Sequence, residues 1–228
     1  MMQYQDIVTI DGPSGVGKSS VSKKVAAELG YTYLDTGAMY RGVGLYFHRQ
    51  GIAVDDESKI AGRLTEVQLE LLPAVTEREE VGVVVNGEDV SPLLRTPELS
   101  MIASKISALP SVRGFLTEMQ RQLSAQGKVV AEGRDMGTVV FPKAAHKFFL
   151  DADPEERCRR RVLQLRERGE EVDEKKLLQM ILQRDRNDSQ RAVAPLKRAD
   201  DAQLINTTAL SFKQVCTKIL QRIKKKTA

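Results

Sequence analysis

The segment GPSGVGKS at 12–19 constrains this chain more than any other feature. It matches GxxxxGK[ST] in full, follows a β-rich run at 6–11 (DIVTID), and leads into apolar residues at helical spacing that continue to Gly30. Strand, glycine loop and helix in that order suit phosphate binding. Glycines let successive backbone N–H groups turn onto an anion, and the positive end of the helix dipole faces it. Gly12, Pro13, Ser14, Gly15, Val16, Gly17, Lys18, Ser19 and Ser20 are therefore the candidate triphosphate cradle. Lys18 is placed to reach the β and γ oxygens, and the hydroxyl of Ser19 or Ser20 to hold Mg²⁺.

The rest of the chain shows what the loop is attached to. A second strand is predicted at 31–35 (YTYLD) and a helix at 38–50, closed by Gly51. The alternation then breaks. Two antiparallel strands are expected at 67–72 and 81–85, with a turn at NGED (86–89). Helices follow at 97–108 and 112–126, buried strands at 128–132 and 146–151, a charged helix at 154–169 and another helix at 174–187. AQLINT (202–207) reads as a last short strand, and 211–225 as an amphipathic helix capped by Ser211. With five strands separated mostly by helices, the expected class is α/β: a P-loop NTPase with a doubly wound, five-stranded parallel sheet and a small β-rich insertion. Ligands should gather at the carboxyl ends of its strands.

Composition narrows the remaining choices. At 228 residues and 41% apolar the chain has room for one compact domain with a modest appendage. Cys158 and Cys216 stand far apart without CxxC spacing, so neither a zinc site nor a disulfide framework is expected, and a reduced cytoplasm fits. No stretch approaches the ~18 apolar residues of a membrane span. The net charge of +4 is shared by proteins that bind nucleic acid, lipid or anionic metabolites, and the Lys224, Lys225, Lys226 run reads as a solvated helix end. A regulatory GTPase would carry DxxG and NKxD, and neither pattern occurs.

Four motifs in order, DGPSGVGKS, DTGAMYR (35–41), EGRDMGTVVFP (132–142) and RAVAPL (191–196), resemble bacterial-type cytidylate kinase, from about residue 6 to 220. The resemblance implies transfer of the ATP γ-phosphate to CMP or dCMP, with ATP and Mg²⁺ as cofactors. It also implies a core at 1–62 and 108–228, an acceptor-binding insertion at 63–107 and a lid at about 157–173. The acceptor is then a small molecule rather than nucleic acid or membrane, and the enzyme a cytoplasmic monomer. A kinase of another small acceptor such as UMP or dTMP is the alternative, and a nucleotide-dependent RNA-binding protein a more distant one.

Candidate roles combine residue chemistry with this resemblance. Thr36 and Arg41 sit where a strand end meets a helix start, suited to an acceptor phosphate that arginine can hold bidentately. Arg134 and Asp135 close a buried strand beside the glycine loop; the first suits phosphate, and the second can accept from the exocyclic amine that cytosine has and uracil lacks. By resemblance Ser104 and Arg113 complete the base contacts. In RCRRRVLQLRER (157–168), Arg157, Arg160, Arg161 and Arg168 recur at three to four residue steps and predict one cationic helix face, a lid over the triphosphate. Aromatics are only 5%, too few to interleave as stacking platforms for RNA. Arg184, Asp188 and Arg191 lie at steps of four and three on one helix face; the resemblance places them on phosphate, ribose hydroxyl and acceptor phosphate. The expected catalytic set is Lys18, Arg134, Arg160 and Arg184. The chain departs from the family pattern at GKSS, where GKGT is usual, at DTG for DSG, and at Glu132 for Asp.

Overall fold

The computed structural model describes residues 6–72, 81–94 and 96–227. Its elements run β1 (Ile7–Asp11), α1 (Lys18–Leu29), β2 (Thr32–Asp35), α2 (Thr36–Arg49), α3 (Glu57–Arg63), β3 (Leu69–Leu72), β4 (Gly82–Val85), β5 (Glu88–Asp89), α4 (Pro97–Ile106), α5 (Pro110–Leu123), β6 (Val129–Gly133), β7 (His146–Asp151), α6 (Pro154–Arg166), α7 (Glu174–Gln190), β8 (Gln203–Asn206) and α8 (Phe212–Thr227).

Five strands form the main sheet in the order β2-β6-β1-β7-β8, and every neighbouring pair is parallel. The predicted α/β class with a five-stranded parallel sheet is the one observed. The pleat sorts β1 onto two cores: Val8 and Ile10 pack with Val21 and Val25 of α1 and Ile219 of α8, while Ile7 packs with Met39, Val43 and Phe47 of α2 and Leu116 of α5. Both faces are therefore covered, as parallel strands rich in Val and Ile require. Strand order reverses at β1, with β2 and β6 on one side and β7 and β8 on the other, so the carboxyl ends of β1 and β6 open into a crevice.

The three-stranded sheet β3-β4-β5 is antiparallel and lies in the stretch expected to hold a β-rich insertion. Asn86 at φ 51 and Gly87 at φ 83 form the tight turn, as NGED predicts. Its inner residues Leu69, Val83 and Val85 share a core with α2, where Gly42 allows the approach: a Cβ there would stand 3.1 Å from both Leu69 and Val83 side chains.

Differences from the sequence-based boundaries have local causes. The helix expected from 38 starts at Thr36, because Asp35 caps it by accepting from Ala38 N at 2.8 Å. The charged helix ends at Arg166, after which Gly169 at φ 78 turns the chain so that Glu170 N reaches Leu165 O at 3.1 Å. The short β5, the helix α3 and a single π turn at Met136–Val140 are too brief to leave a periodic signal. Ser211 caps α8 with Gln214, each accepting from the other's backbone N–H.

Gly12, at φ 147, carries the chain from β1 across β7, and a Cβ there would lie 2.1 Å from the Leu150 carbonyl oxygen. Gly12→Ala should lose roughly 3 kcal/mol or more of stability, whereas Gly87→Ala, facing open space, should lose about 1. Urea unfolding of the two variants checks this; equal losses would contradict the assigned contact.

Candidate active site

One cavity of about 640 Å³ opens at the carboxyl ends of β1, β2 and β6 and is closed from the far side by α4, α6 and α7. Its floor is the glycine loop. Gly17, at φ 94, hands the chain to α1, which starts at Lys18. The Lys18 ammonium is buried and donates to the Pro13 carbonyl at 2.7 Å, so the loop closes on its own lysine. Burial, and next the Arg134 guanidinium, hold that ammonium well below its ordinary pKa, against the pull of Glu132 and Asp11.

Of the sequence-predicted residues, Ser14, Gly15, Gly17, Lys18, Ser19, Ser20, Thr36, Arg41, Ser104, Arg113, Arg134, Asp135, Arg160, Arg184, Asp188 and Arg191 all line this cavity. Gly12, Pro13 and Val16 do not. Gly12 passes against Leu150, Pro13 presents its carbonyl to Lys18, and Val16 is a core residue.

Two carboxylates organise the wall opposite the loop. Asp135 is paired with Arg113 through Oδ2, and Arg191 stands 3.5 Å from Oδ1. Arg113 also lies over the Tyr40 ring, 5.7 Å from its centroid, and donates to the Ser107 carbonyl at 3.1 Å. Asp188 accepts from Ser104 Oγ and from Arg134 Nε, each at 2.8 Å, with Arg184 Nε at 3.9 Å. Burial disfavours its charge, but Arg134 and Arg184 outweigh burial and hold the Asp188 carboxyl down at about 2. Arg184 is also lowered, but at the expense of its charged form: burial, then the guanidinium of Arg134, bring it down to about 10.

Several donors in this wall make no hydrogen bond, though two of them stand at ion-pair distance from a carboxylate. Arg41 Nε, Arg184 Nε and Arg191 Nη2 are buried and unsatisfied. Arg41 is otherwise held by Asp35 at 3.3 Å. Buried guanidinium N–H groups without acceptors are costly, and their convergence marks a place for an anion. Thr36 is not the helix cap, a role Asp35 takes; its hydroxyl donates to the Glu132 carbonyl at 2.6 Å and ties β2 to β6.

The cationic face expected on the 157–168 helix is split. Arg157 is buried: it donates to Ala152 O and Ser14 O, each at 3.0 Å, and pairs with Asp185 of α7 at 2.7 Å. It fastens the glycine loop to α7 and presents nothing to solvent, because the first turn of α6 packs on the loop. Arg160 turns to Glu156 and to the carbonyls after β8, donating to Thr207 O at 2.7 Å. Arg161 and Arg168 reach the cavity, as predicted.

Other contributors were not singled out from the sequence. Asp35, Tyr40 and Ser107 line the cavity, and Asp11 and Tyr33 lie just beneath it. Asp11 and Asp35 had a readable signal, since each is a carboxylate ending a buried strand, the same argument that picked out Asp135.

A family model described as cytidylate kinase matches residues 8–225. The chain belongs to the cytidylate kinase family. It is 47% identical over 220 residues to a cytidylate kinase of Syntrophotalea carbinolica, covering 96% of this chain and 92% of the relative. The Carboxydothermus hydrogenoformans cytidylate kinase is 44% identical, covering 96% of this chain and 97% of the relative. A bifunctional pantoate ligase/cytidylate kinase of Synechococcus elongatus is 48% identical over 94% of this chain, which corresponds to 41% of that longer protein. Membership makes the chain a phosphotransferase of nucleotides. Among the described residues no helix is long and apolar enough to cross a membrane.

The depressed Asp188 carboxyl has a signed consequence. Its pairing stabilises the fold above the ordinary carboxyl pKa of 3.8 and is lost as pH falls from there toward about 2. Across that window the stability advantage of the wild type over Asp188→Asn should shrink by about 2 kcal/mol. Urea unfolding at pH 5 and pH 3, the upper part of that window, should show about half of this loss, ~1 kcal/mol; a constant difference would show that the pair does not carry the shift.

Proposed function

We propose that this cytidylate kinase transfers the γ-phosphoryl of ATP to the 5′-phosphate of CMP and dCMP, giving ADP and the nucleoside diphosphate. The observation that carries this reading is that Arg41, Arg134, Arg184 and Arg191 line one cavity together with Lys18 and the glycine loop. An acceptor phosphate fits between Arg41, Thr36, Arg134 and Arg191, and the triphosphate between the loop, Lys18 and Arg184. Arg184 donates to Ser14 Oγ at 3.1 Å, which puts it within reach of both. No general base is called for, because the acceptor is already an anion; positioning and charge neutralisation suffice.

Base recognition falls to the opposite end. Asp135, fixed between Arg113 and Arg191, offers a carboxylate to an exocyclic amine, and Ser104 and Arg113 complete the contact. Asp188 can exchange part of its arginine contact for a ribose hydroxyl, which an acceptor lacking that hydroxyl does not repay.

The loop region suits a divalent cation such as Mg²⁺. Burial, and after it the nearby Asp35 carboxylate, raise Glu132 above its usual range, so an added cation is favoured there. The Ser19 hydroxyl is hydrogen bonded to Glu132, which makes Ser19 rather than the exposed Ser20 the hydroxyl to hold it. When bound with ATP, such a cation neutralises charge between the β- and γ-phosphates.

Around this centre, 1–62 and 108–228 act as the core, 63–107 closes over the acceptor, and about 157–173 acts as a lid that excludes water, hinged at its start on the buried Arg157. Arg160 then leaves the carbonyl of Thr207 for the transferred phosphoryl group. The enzyme works as a cytoplasmic monomer on small molecules.

An ADP-release assay across CMP, dCMP, UMP and dTMP is the test, with CMP and dCMP expected to lead. Lys18→Ala should lower kcat by ~10²–10³-fold with an unchanged melting temperature, and Asp135→Ala should raise the acceptor KM more than the ATP KM. Indifference to CMP in the presence of ATP and Mg²⁺ would defeat the assignment.

A further inference from the structure

Asp11 closes β1 one residue before the glycine loop, is 4% exposed, and does not line the cavity. Both its oxygens accept from main-chain N–H groups: Oδ1 from Met136 at 2.9 Å and Oδ2 from Gly137 at 2.8 Å. Those two N–H groups open the π turn that directly follows Arg134 and Asp135. The strand before the turn is anchored as well, since Gly133 pairs in register with Asp11. Gly137 is pressed close: a Cβ there would stand 3.0 Å from Thr9 Oγ1 and 3.4 Å from Asp11 Oδ2.

A buried carboxylate is a costly way to satisfy two amides. Burial dominates and pushes Asp11 up to about 7, while the two N–H groups and Lys18 only partly compensate. What the carboxylate supplies, and a serine or asparagine does not, is two acceptors at fixed separation for two successive donors. The peptide planes of Met136 and Gly137 are thereby fixed, and with them the direction in which Asp135 leaves the turn.

We propose that Asp11 is a positioning residue for acceptor recognition, setting through the Met136 and Gly137 amides the turn that presents Arg134 and Asp135. This rests on the proposed role of Asp135 and Arg134 in binding the acceptor. It also makes β1 a shared ruler: Gly12 begins the donor loop on one side of Asp11, and the acceptor turn hangs from its carboxylate.

The test is steady-state kinetics of Asp11→Asn with CMP, UMP and ATP varied separately, alongside thermal melting. Asparagine retains one acceptor and turns an N–H toward the second amide. The acceptor KM should rise roughly tenfold and the preference for CMP over UMP should narrow, with the ATP KM changed less than about twofold. Gly137→Ala moves the same turn without altering the carboxylate and should give the same pattern, smaller, which decides the matter if Asp11→Asn does not fold. A lower melting temperature with all three constants unchanged, or equal loss for ATP and CMP, would overturn the positioning role. Wild-type enzyme that ignores CMP would instead overturn the substrate reading, and this inference with it.

Discussion

Positive charge gathered in one cavity is the constraint on which this structure turns. Lys18, Arg41, Arg113, Arg134, Arg184 and Arg191 converge there, and two of the carboxylates among them, Asp135 and Asp188, are each shared between two arginines, while Asp35 pairs with Arg41. Crowding is felt at individual groups: Lys18 and Arg184 are both displaced downward by burial and then by Arg134. Such an arrangement costs folding free energy and is tolerated where a polyanion relieves it.

The parallel sheet is what makes the crowding sustainable. Side chains at strand ends inherit the rigidity of hydrogen-bonded neighbours, and β1, β2 and β6 deliver Asp11, Asp35 and Glu132 from adjacent positions. The helices on the other side are held to that frame by buried ties. Arg157 joins the carbonyl of Ser14 to Asp185, so the donor loop and the helix carrying Arg184 and Asp188 do not shift independently. Ser104 of α4 and Arg134, the residue after β6, meet on the single carboxylate of Asp188.

Most of the fold was legible because its signals are local and repeated. Parallel strands buried on both faces leave uninterrupted apolar runs, and a glycine loop between strand and helix is tied to its mechanism. Residues that line the cavity were legible where a motif fixed both residue type and position, as in Lys18, Arg134 and Asp135. They were less so where direction matters. Helical spacing placed Arg157, Arg160, Arg161 and Arg168 on one face, yet only packing decided that Arg157 points into the loop and Arg160 toward Thr207. Periodicity reports which residues share a face and is silent on what that face meets. Asp11 carried the signal of a carboxylate closing a buried strand, but its role did not: its partners are two amides 125 and 126 residues away, and no side-chain pattern announces a main-chain contact.

The carboxylates also bear on selectivity among anions. A cavity of arginines alone would hold any phosphate or sulfate strongly and would be occupied before an acceptor arrived. Asp135 and Asp188 lower that general attraction by holding Arg113, Arg134 and Arg191 in pairs, so an incoming anion must compete with a carboxylate already in place. Inorganic phosphate brings no amine and no donor held away from its own charge for the carboxylates it uncovers, and leaving a buried carboxylate short of donors is expensive. A ligand with an anionic group at one end and amine and hydroxyl donors at the other replaces what it displaces. On the proposed reading, discrimination between a nucleotide and a bare anion therefore comes from the acidic residues, and the arginines supply the affinity.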